Sequence, residues 1–362
     1  KYIGSLEGPI KGNVLLRREQ YRLADDDILS SHLASIFIAG KIANHRSVLA
    51  RFCRDHHPPH EVESEIEEAR ALLRQQQHKL SEQTSRLGVM GVEGYAANVY
   101  FGLFQHLILN KEFTFSGRSK HPPKDEVNAL LSFFYTLLAH DVRAALETVG
   151  LDAYVGFLHV DRPGRPGLAL DLMEEMRAYL VDRFVLSIIN KRQVERSDFI
   201  PQGEKGFLLK EDARKRLIAL WQKRKKDEIT HPFLKEKMPL GLLPYIQALL
   251  LARHLRGDLD EYPKQKMYIL VTYDVATATP SGAKRLRQVA RICKNYGQRV
   301  QASVFECLVD PAQLVNLRHE LLSVIDDQED SLRIYQLDKH YQRQIHVYGK
   351  VTSFEIEGEL IV

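Results

Sequence analysis

The hydrophobic pattern changes its period once, at Met267, and that change dictates two separately folding parts. Before it, from Ile28 onward, apolar residues recur every three or four positions in long runs, the repeat of an amphipathic helix. After it, short apolar runs alternate with helical ones. Between the two lies 257–266, Gly-Asp-Leu-Asp-Glu-Tyr-Pro-Lys-Gln-Lys, which is polar and reads as a linker. A length of 362 residues also exceeds what a single core ordinarily serves.

In the first part the helical spacing runs through Ile36, Ala39 and Ala43 and ends near Arg46 and Arg51. Residues 61–86 form a charged, Gln-rich helical stretch, and 126–148 and 167–190 are long Leu-, Ala- and Phe-rich ones. Further helical patterns cover 211–226 and 240–256, with breaks at Pro201-Gln202-Gly203 and Pro232–Pro239. Residues 26–256 therefore predict a mainly α-helical domain. Residues 1–25 are punctuated by Gly4, Gly8-Pro9 and Gly12-Asn13 around short apolar runs, and read as an extended, turn-rich β segment.

In the second part, 267–362, strands are expected at Tyr268–Val275, Arg299–Val309 and Leu332–Leu337, with helices at 280–296 and 311–325. That order fits an α+β domain of the ferredoxin-like, split βαβ kind. Met267 at its head has the look of a former initiator, as if two reading frames had been joined.

The composition excludes some classes. No apolar run reaches the ~18 residues of a membrane span. Lys1 leads into a Gly-rich stretch rather than a signal-peptide core. Cys53, Cys293 and Cys307 follow no disulfide or metal spacing, so the expected compartment is a reducing cytoplasm. Charge is unevenly spread: from Met267 on there are 11 Lys+Arg and 12 Asp+Glu, leaving the first part 40 basic against 35 acidic residues. Dense basic stretches at Arg17-Arg18, Arg22 and Lys210–Lys226 suit a phosphate backbone, or equally a solvated helix face.

Three features of the helical part offer ligands to a hard divalent cation such as Mn2+ or Mg2+. They are Glu93 in Gly91-Val92-Glu93-Gly94, His159 in Gly156-Phe157-Leu158-His159, and the group Asp171, Glu174 and Glu175. Residues 171, 174 and 175 are three and four apart, hence on one face of a regular helix. Spacing leaves ordinary readings open: a helix-end glutamate, a structural histidine, and a solvated acidic face paired with Arg177.

The wording around these residues narrows the choice. Glu93-Gly94-x-Ala96-Ala97-x-x-Tyr100-Phe101, the stretch from Pro122-Pro123-x-Asp125 to Leu137-Leu138, Gly156-Phe157-Leu158-His159 with Ala169–Glu175, and Gly40-Lys41-Ile42-x-Asn44-x-Arg46 stand in order. Together they resemble the CRISPR-associated integrase family, Cas-one in words, over about residues 10–260. The resemblance implies Glu93, His159 and Glu174 as metal ligands and catalytic residues, with Asp171 an accessory acid. Lys120-His121 stands where the family often has two arginines. The family opens with a β-rich domain that carries a dimer contact, and Lys1–Tyr21 reads as the last strands of one.

Tyr268–Val275 and Arg291–Glu306 resemble the small second CRISPR-associated family, Cas-two in words, a ferredoxin-fold dimer, in the version of type I-C systems. That family's metal-binding acid maps to Asp274, which the residues alone read equally as a turn cap. The implied function is CRISPR adaptation: metal-dependent joining of a spacer 3′-hydroxyl to a phosphodiester at the repeat boundary. The C-terminal domain would be a dimeric scaffold. A nuclease acting on branched DNA and a non-catalytic DNA-binding scaffold are the competing readings. Implied partners are double-stranded spacer-precursor and repeat DNA, further copies of the chain, and a Cas-four-type nuclease, in a prokaryotic cytoplasm with no membrane. Candidate DNA contacts are Arg17, Arg18, Arg22, Lys41, Arg46, Lys284, Arg285, Arg287 and Arg291.

Overall fold

The computed structural model describes residues 13–337, apart from 121, 232, 235, 260, 261, 263–266, 278, 310, 327 and 328. The chain divides at Tyr262/Pro263 into a helical unit and a smaller α/β unit. The sequence boundary at 257–266 falls here, with one correction. Tyr262 is no linker residue: it is 1% exposed within the helical unit, edge-on to Phe37.

The helical unit begins with α1 (Val14–Asp25), where β structure was expected. Past Asn13 the segment has no Gly or Pro, and Leu16, Gln20 and Ala24 are buried at a spacing of four, so helix wins. The expected strands over 1–12 lie outside the described residues. Next come α2 (Asp27–His56), α3 (His60–Lys79) and α4 (Arg86–Gly102). Asp26 caps α2 by accepting from the Ile28 and Leu29 amides, both at 2.9 Å. α4, which carries Glu93, was not singled out as a helix from the sequence; Gly88, Gly91 and Gly94 in its first half dilute the apolar repeat.

α5 (Glu126–Val149) is capped by Asp125 and closed by Gly150 in the left-handed region, φ 90°. Among the described residues it is the one helix long and apolar enough to cross a membrane, but Leu130, Leu131, Phe134, Leu138 and Val142 are buried against protein. Phe134 meets Phe184 edge-on at 4.8 Å and Trp221 at 5.4 Å, so α5 is the spine of the core.

The stretch 167–190 is not one regular helix. α6 (Gly167–Met173) gives way to a tight turn, then a π-helical segment, Arg177–Asp182, then α7 (Arg183–Asn190). Two short hairpins, β1 (Phe199–Pro201) with β2 (Phe207–Leu209) and β3 (Glu228–Thr230) with β4 (Lys237–Pro239), flank α8 (Glu211–Arg224). α9 (Leu243–Leu255) follows.

The second unit runs β5 (Met267–Asp274), α10 (Pro280–Tyr296), β6 (Gly297–Gln301), β7 (Val304–Val309), α11 (Pro311–Leu322) and β8 (Ser331–Leu337). All neighbours pair antiparallel in the order β6-β7-β5-β8. The single strand expected at 299–309 is a hairpin turning at Ala302-Ser303. Ile269, Val271, Val289, Cys293, Phe305 and Leu317 form this unit's own core.

Candidate active site

α2 delivers the first part of the site. In Gly40-Lys41-Ile42-x-Asn44-x-Arg46, three residues face the segment after α6. A Cβ on Gly40 would lie 3.2 Å from Glu175 Cγ, so glycine lets the two backbones close up. The Asn44 amide donates to the Glu175 carbonyl at 2.7 Å. Lys41, one position on from the glycine, is 5% exposed and reaches across to two carboxylates.

Those carboxylates are Glu93 from α4 and Glu174 from the turn after α6. The Lys41 ammonium donates to both, to Glu174 Oε2 at 2.7 Å. Arg177 takes the other oxygen of Glu174 at 2.9 Å. Burial alone would raise the Glu174 carboxyl, but Arg177 and Lys41 outweigh it and hold it at about 2. Burial likewise opposes charge on Lys41, and Glu174 and Glu93 reverse this and raise it. Glu174 is therefore charged at any physiological pH. Glu93 is the open side of the cluster, its side chain 28% exposed against 5% for Glu174.

His159 sits on a loop anchored from three directions. Gln20 of α1 donates to the carbonyls of Asp152 and Val155 at 2.8 and 2.9 Å and accepts from the Asp152 amide at 2.9 Å. Ser30 of α2 donates to the Phe157 carbonyl at 2.9 Å. Asp171, fully buried, gathers the amides of Phe157, Leu158 and His159 at 2.6, 2.8 and 3.1 Å. It also takes His159 Nδ1 at 2.5 Å. A carboxylate accepts, so Nδ1 carries the proton and Nε2 keeps its lone pair. Gly156 is required here: a Cβ would come within 2.7 Å of Asp171 Oδ2 and 2.8 Å of the Gly167 backbone.

The expectation that residues 171, 174 and 175 share one face fails, because the helix tightens and then widens between Asp171 and Asp182. The Glu174 and Met176 amides bond three residues back, to Asp171 and Met173. The π-helical segment follows. The three carboxyls consequently serve three partners: Asp171 the histidine loop, Glu174 the cations, and Glu175 a polar group beneath. Glu175 accepts from the Tyr262 hydroxyl at 2.9 Å and from Gln247 at 2.5 Å. Burial, only partly offset by those hydrogen bonds, pushes its carboxyl up to about 8.

That shift sets a pH dependence. Unfolded, Glu175 loses its proton near 4.5; folded, near 8. Between those values the unfolded chain binds fewer protons, so the contribution of Glu175 to stability falls as pH rises through the window. Glu175→Gln should raise the melting temperature at pH 8, by a stability difference on the order of 3–5 kcal/mol, and much less at pH 5. Melts that shift equally at both pH values contradict this.

Among the described residues no three His, Cys, Asp or Glu side chains close around one point. Glu93 and Glu174 do meet, but at the Lys41 ammonium, while His159 turns its Nδ1 to Asp171. The donor set still fits a hard divalent cation: two carboxylate oxygens already share one positive charge, and His159, bonded to Asp171 through Nδ1, offers Nε2 as a nitrogen ligand.

The basic candidates separate into two groups. Lys41 is buried among carboxylates, Arg46 is 8% exposed and bonded to Gln77, and Arg285 is locked to Glu329 and Asp330 at 2.7 and 2.8 Å; none presents a free guanidinium or ammonium to a phosphate. Arg18, Arg22, Lys284, Arg287 and Arg291 are exposed, and Arg17 is half-buried with Nε on the Gly150 carbonyl. Residues 284, 287 and 291 follow one face of α10. Asp274, at the end of β5, is exposed and joins no cluster of ligating side chains among the described residues. The turn after β5 is instead capped by Asp330, which accepts from the Ala276 amide at 3.1 Å. Sequence reading missed Gln20 as a support of the site, because its partners Asp152 and Val155 lie across the fold.

Residues 1–223 match the family described as CRISPR associated protein Cas1, and residues 267–345 match CRISPR associated protein Cas2. "CRISPR-associated endonuclease Cas1 1" of Chlorobaculum tepidum is 49% identical over 266 residues, 73% of this chain and 77% of its own length. A "CRISPR-associated exonuclease Cas4/endonuclease Cas1 fusion" of Rhodospirillum rubrum is 37% identical over 267 residues, 72% of this chain and 45% of that protein. The solved structure "Casposase bound to integration product" aligns with a TM-score of 0.63 at 25% identity, over 72% of this chain and 70% of that one.

Proposed function

The chain belongs to the Cas1 family of CRISPR-associated proteins, with a Cas2-family domain in the same polypeptide, and from that premise we propose that it joins spacer DNA to a CRISPR repeat. The observation that carries the reading is the meeting of Glu93 and Glu174 at one cation, beside a histidine with a fixed tautomer. Glu93, Glu174 and His159 Nε2 would hold the divalent ion. Bound there, Mn2+ or Mg2+ neutralises charge on the scissile phosphate and stabilises the attacking or leaving oxygen.

The chain's own residues supply the rest. Asp171 fixes the His159 ring, and the clamp of Gln20 and Ser30 fixes the loop that carries it. Arg177 holds one Glu174 oxygen and leaves the other directed at the shared cation position. Glu93, with 28% of its side chain exposed, leaves the site open to an arriving strand. The reaction is a transesterification: a DNA 3′-oxygen bonds to phosphorus, the repeat's own P–O bond breaks, and the proton lost by the attacking hydroxyl is matched by one taken up by the departing oxygen.

The second unit has the strand order of a ferredoxin-like fold, and we assign it a scaffold role as a dimer. Double-stranded DNA contacts fall to the exposed Arg18, Arg22, Lys284, Arg287 and Arg291. The fused Rhodospirillum rubrum relative makes a Cas4-type nuclease the protein partner of choice. Asp274→Asn is expected to leave joining within about twofold of wild type, because Asp274 stands apart from any ligand cluster. A loss as large as that of His159→Ala removes the scaffold assignment.

The test is incubation of the chain with Mn2+, a duplex bearing free 3′-hydroxyls and a repeat-containing target. The expected product is a target strand lengthened by the donor. Cut target without joining supports a branched-DNA nuclease, and DNA retention with neither product supports a binding scaffold.

A further inference from the structure

The position shared by Glu93 and Glu174 is already taken by a charge of the protein itself. Lys41 is buried at 5% exposure, and its ammonium donates to both carboxylates. It cannot bond both oxygens and leave them to a divalent ion, since each oxygen faces a single cation at that point. Nor is it an idle surface lysine: α2 carries it in by Gly40, where any Cβ would crowd Glu175 Cγ at 3.2 Å, and by Asn44, which grips the Glu175 backbone. Without a cation between them, two carboxylates converging in a mostly buried site would repel each other.

We propose that Lys41 is a built-in counter-cation that keeps the ligand pair assembled before metal binding and is displaced when the divalent ion enters. The inference rests on Glu93 and Glu174 being the ligand pair. It assigns Lys41 a positioning and gating role rather than the phosphate contact expected of a basic residue in that motif. Its consequence is a trade-off. The ammonium preserves the site, yet every binding event must first remove a unit positive charge from both carboxylates. Arg177 stays behind on Glu174 Oε1 and keeps that side chain in place while Lys41 leaves.

The experiment measures Mn2+ binding by isothermal calorimetry on the full chain without DNA, beside the melting temperature of the metal-free chain. Lys41→Met removes the competing charge and keeps the aliphatic stem. Its Mn2+ dissociation constant should fall by about tenfold or more, since a full opposing charge at contact distance has been deleted. Its metal-free melting temperature should drop, and saturating Mn2+ should recover the loss. Lys41→Gln, which keeps one hydrogen bond without charge, should shift affinity in the same direction by less, and it carries the test if the methionine variant does not fold. Affinity equal to or weaker than wild type in the folded variant overturns the proposal and makes Lys41 a plain structural support. Glu174→Gln separates the two levels. If Mn2+ binding survives that change unaltered, the ligand pair itself is misassigned; if it is lost while Lys41→Met fails to tighten binding, the ligand pair stands and only the role of Lys41 falls.

Discussion

Glu93→Ala, His159→Ala and Glu174→Gln should each reduce strand joining by about a thousandfold or more while leaving DNA affinity within about threefold. The asymmetry follows from where the energy lies. Joining depends on one small constellation, so loss of any member disables it. In the proposed account affinity is spread over phosphate contacts assigned to exposed residues such as Arg18, Arg22 and Arg291, none of which belongs to that constellation. Glutamine rather than alanine is the right replacement at 174. Alanine would strand Lys41 and Arg177 as buried cations, a fault costing about 3–5 kcal/mol that would confuse a chemical loss with a folding one. Near-wild-type joining by any of the three variants removes that residue from the site, and a parallel loss of DNA affinity moves the residue to the binding surface.

Asp171→Ala should lower joining by about 10- to 100-fold and also lower the melting temperature. The carboxylate bonds three backbone amides of the loop as well as the His159 ring. Deleting it leaves those donors buried without an acceptor, at about 1–3 kcal/mol each for the ones water cannot reach. The family resemblance presents Asp171 as an accessory acid beside Glu174. The fold makes it the organiser of the loop. Asp171→Asn, which keeps one acceptor oxygen, should recover part of the stability and less of the activity, because the amide no longer fixes the tautomer of His159. A variant that joins normally and melts as wild type would show that the loop holds itself without Asp171.

What could be read from residues alone was whatever depends on neighbours in sequence. The uninterrupted apolar repeat of 126–148 became α5 within a residue at each end, and Thr279-Pro280 opened α10 where expected. The period change at Met267 marked the second unit. Glu93, His159 and Glu174 were singled out through the wording around them, and the fold brings Glu93 and Glu174 to one ammonium. Features set by distant partners were not. Lys41 looked like one more surface cation because its partners stand 52 and 133 positions away. Arg285 looked like a phosphate contact on a basic helix, but Glu329 and Asp330, 44 and 45 residues on, neutralise it. The split of Asp171, Glu174 and Glu175 among three partners goes with the tight turn after α6, and no residue from 167 to 190 announces that turn as proline announces a break. α1 was missed for a different reason: the Gly and Pro signals before Asn13 coloured the reading of a segment that contains neither.

The central claim is that Glu93, Glu174 and His159 hold one catalytic divalent ion. Its most direct test is the anomalous scattering of crystals of the chain grown with Mn2+. The account predicts a peak touched by Glu93, by Glu174 and by Nε2 of His159, with the Lys41 ammonium withdrawn from both carboxylates. A peak only elsewhere, or none at Mn2+ concentrations that support joining, would contradict it.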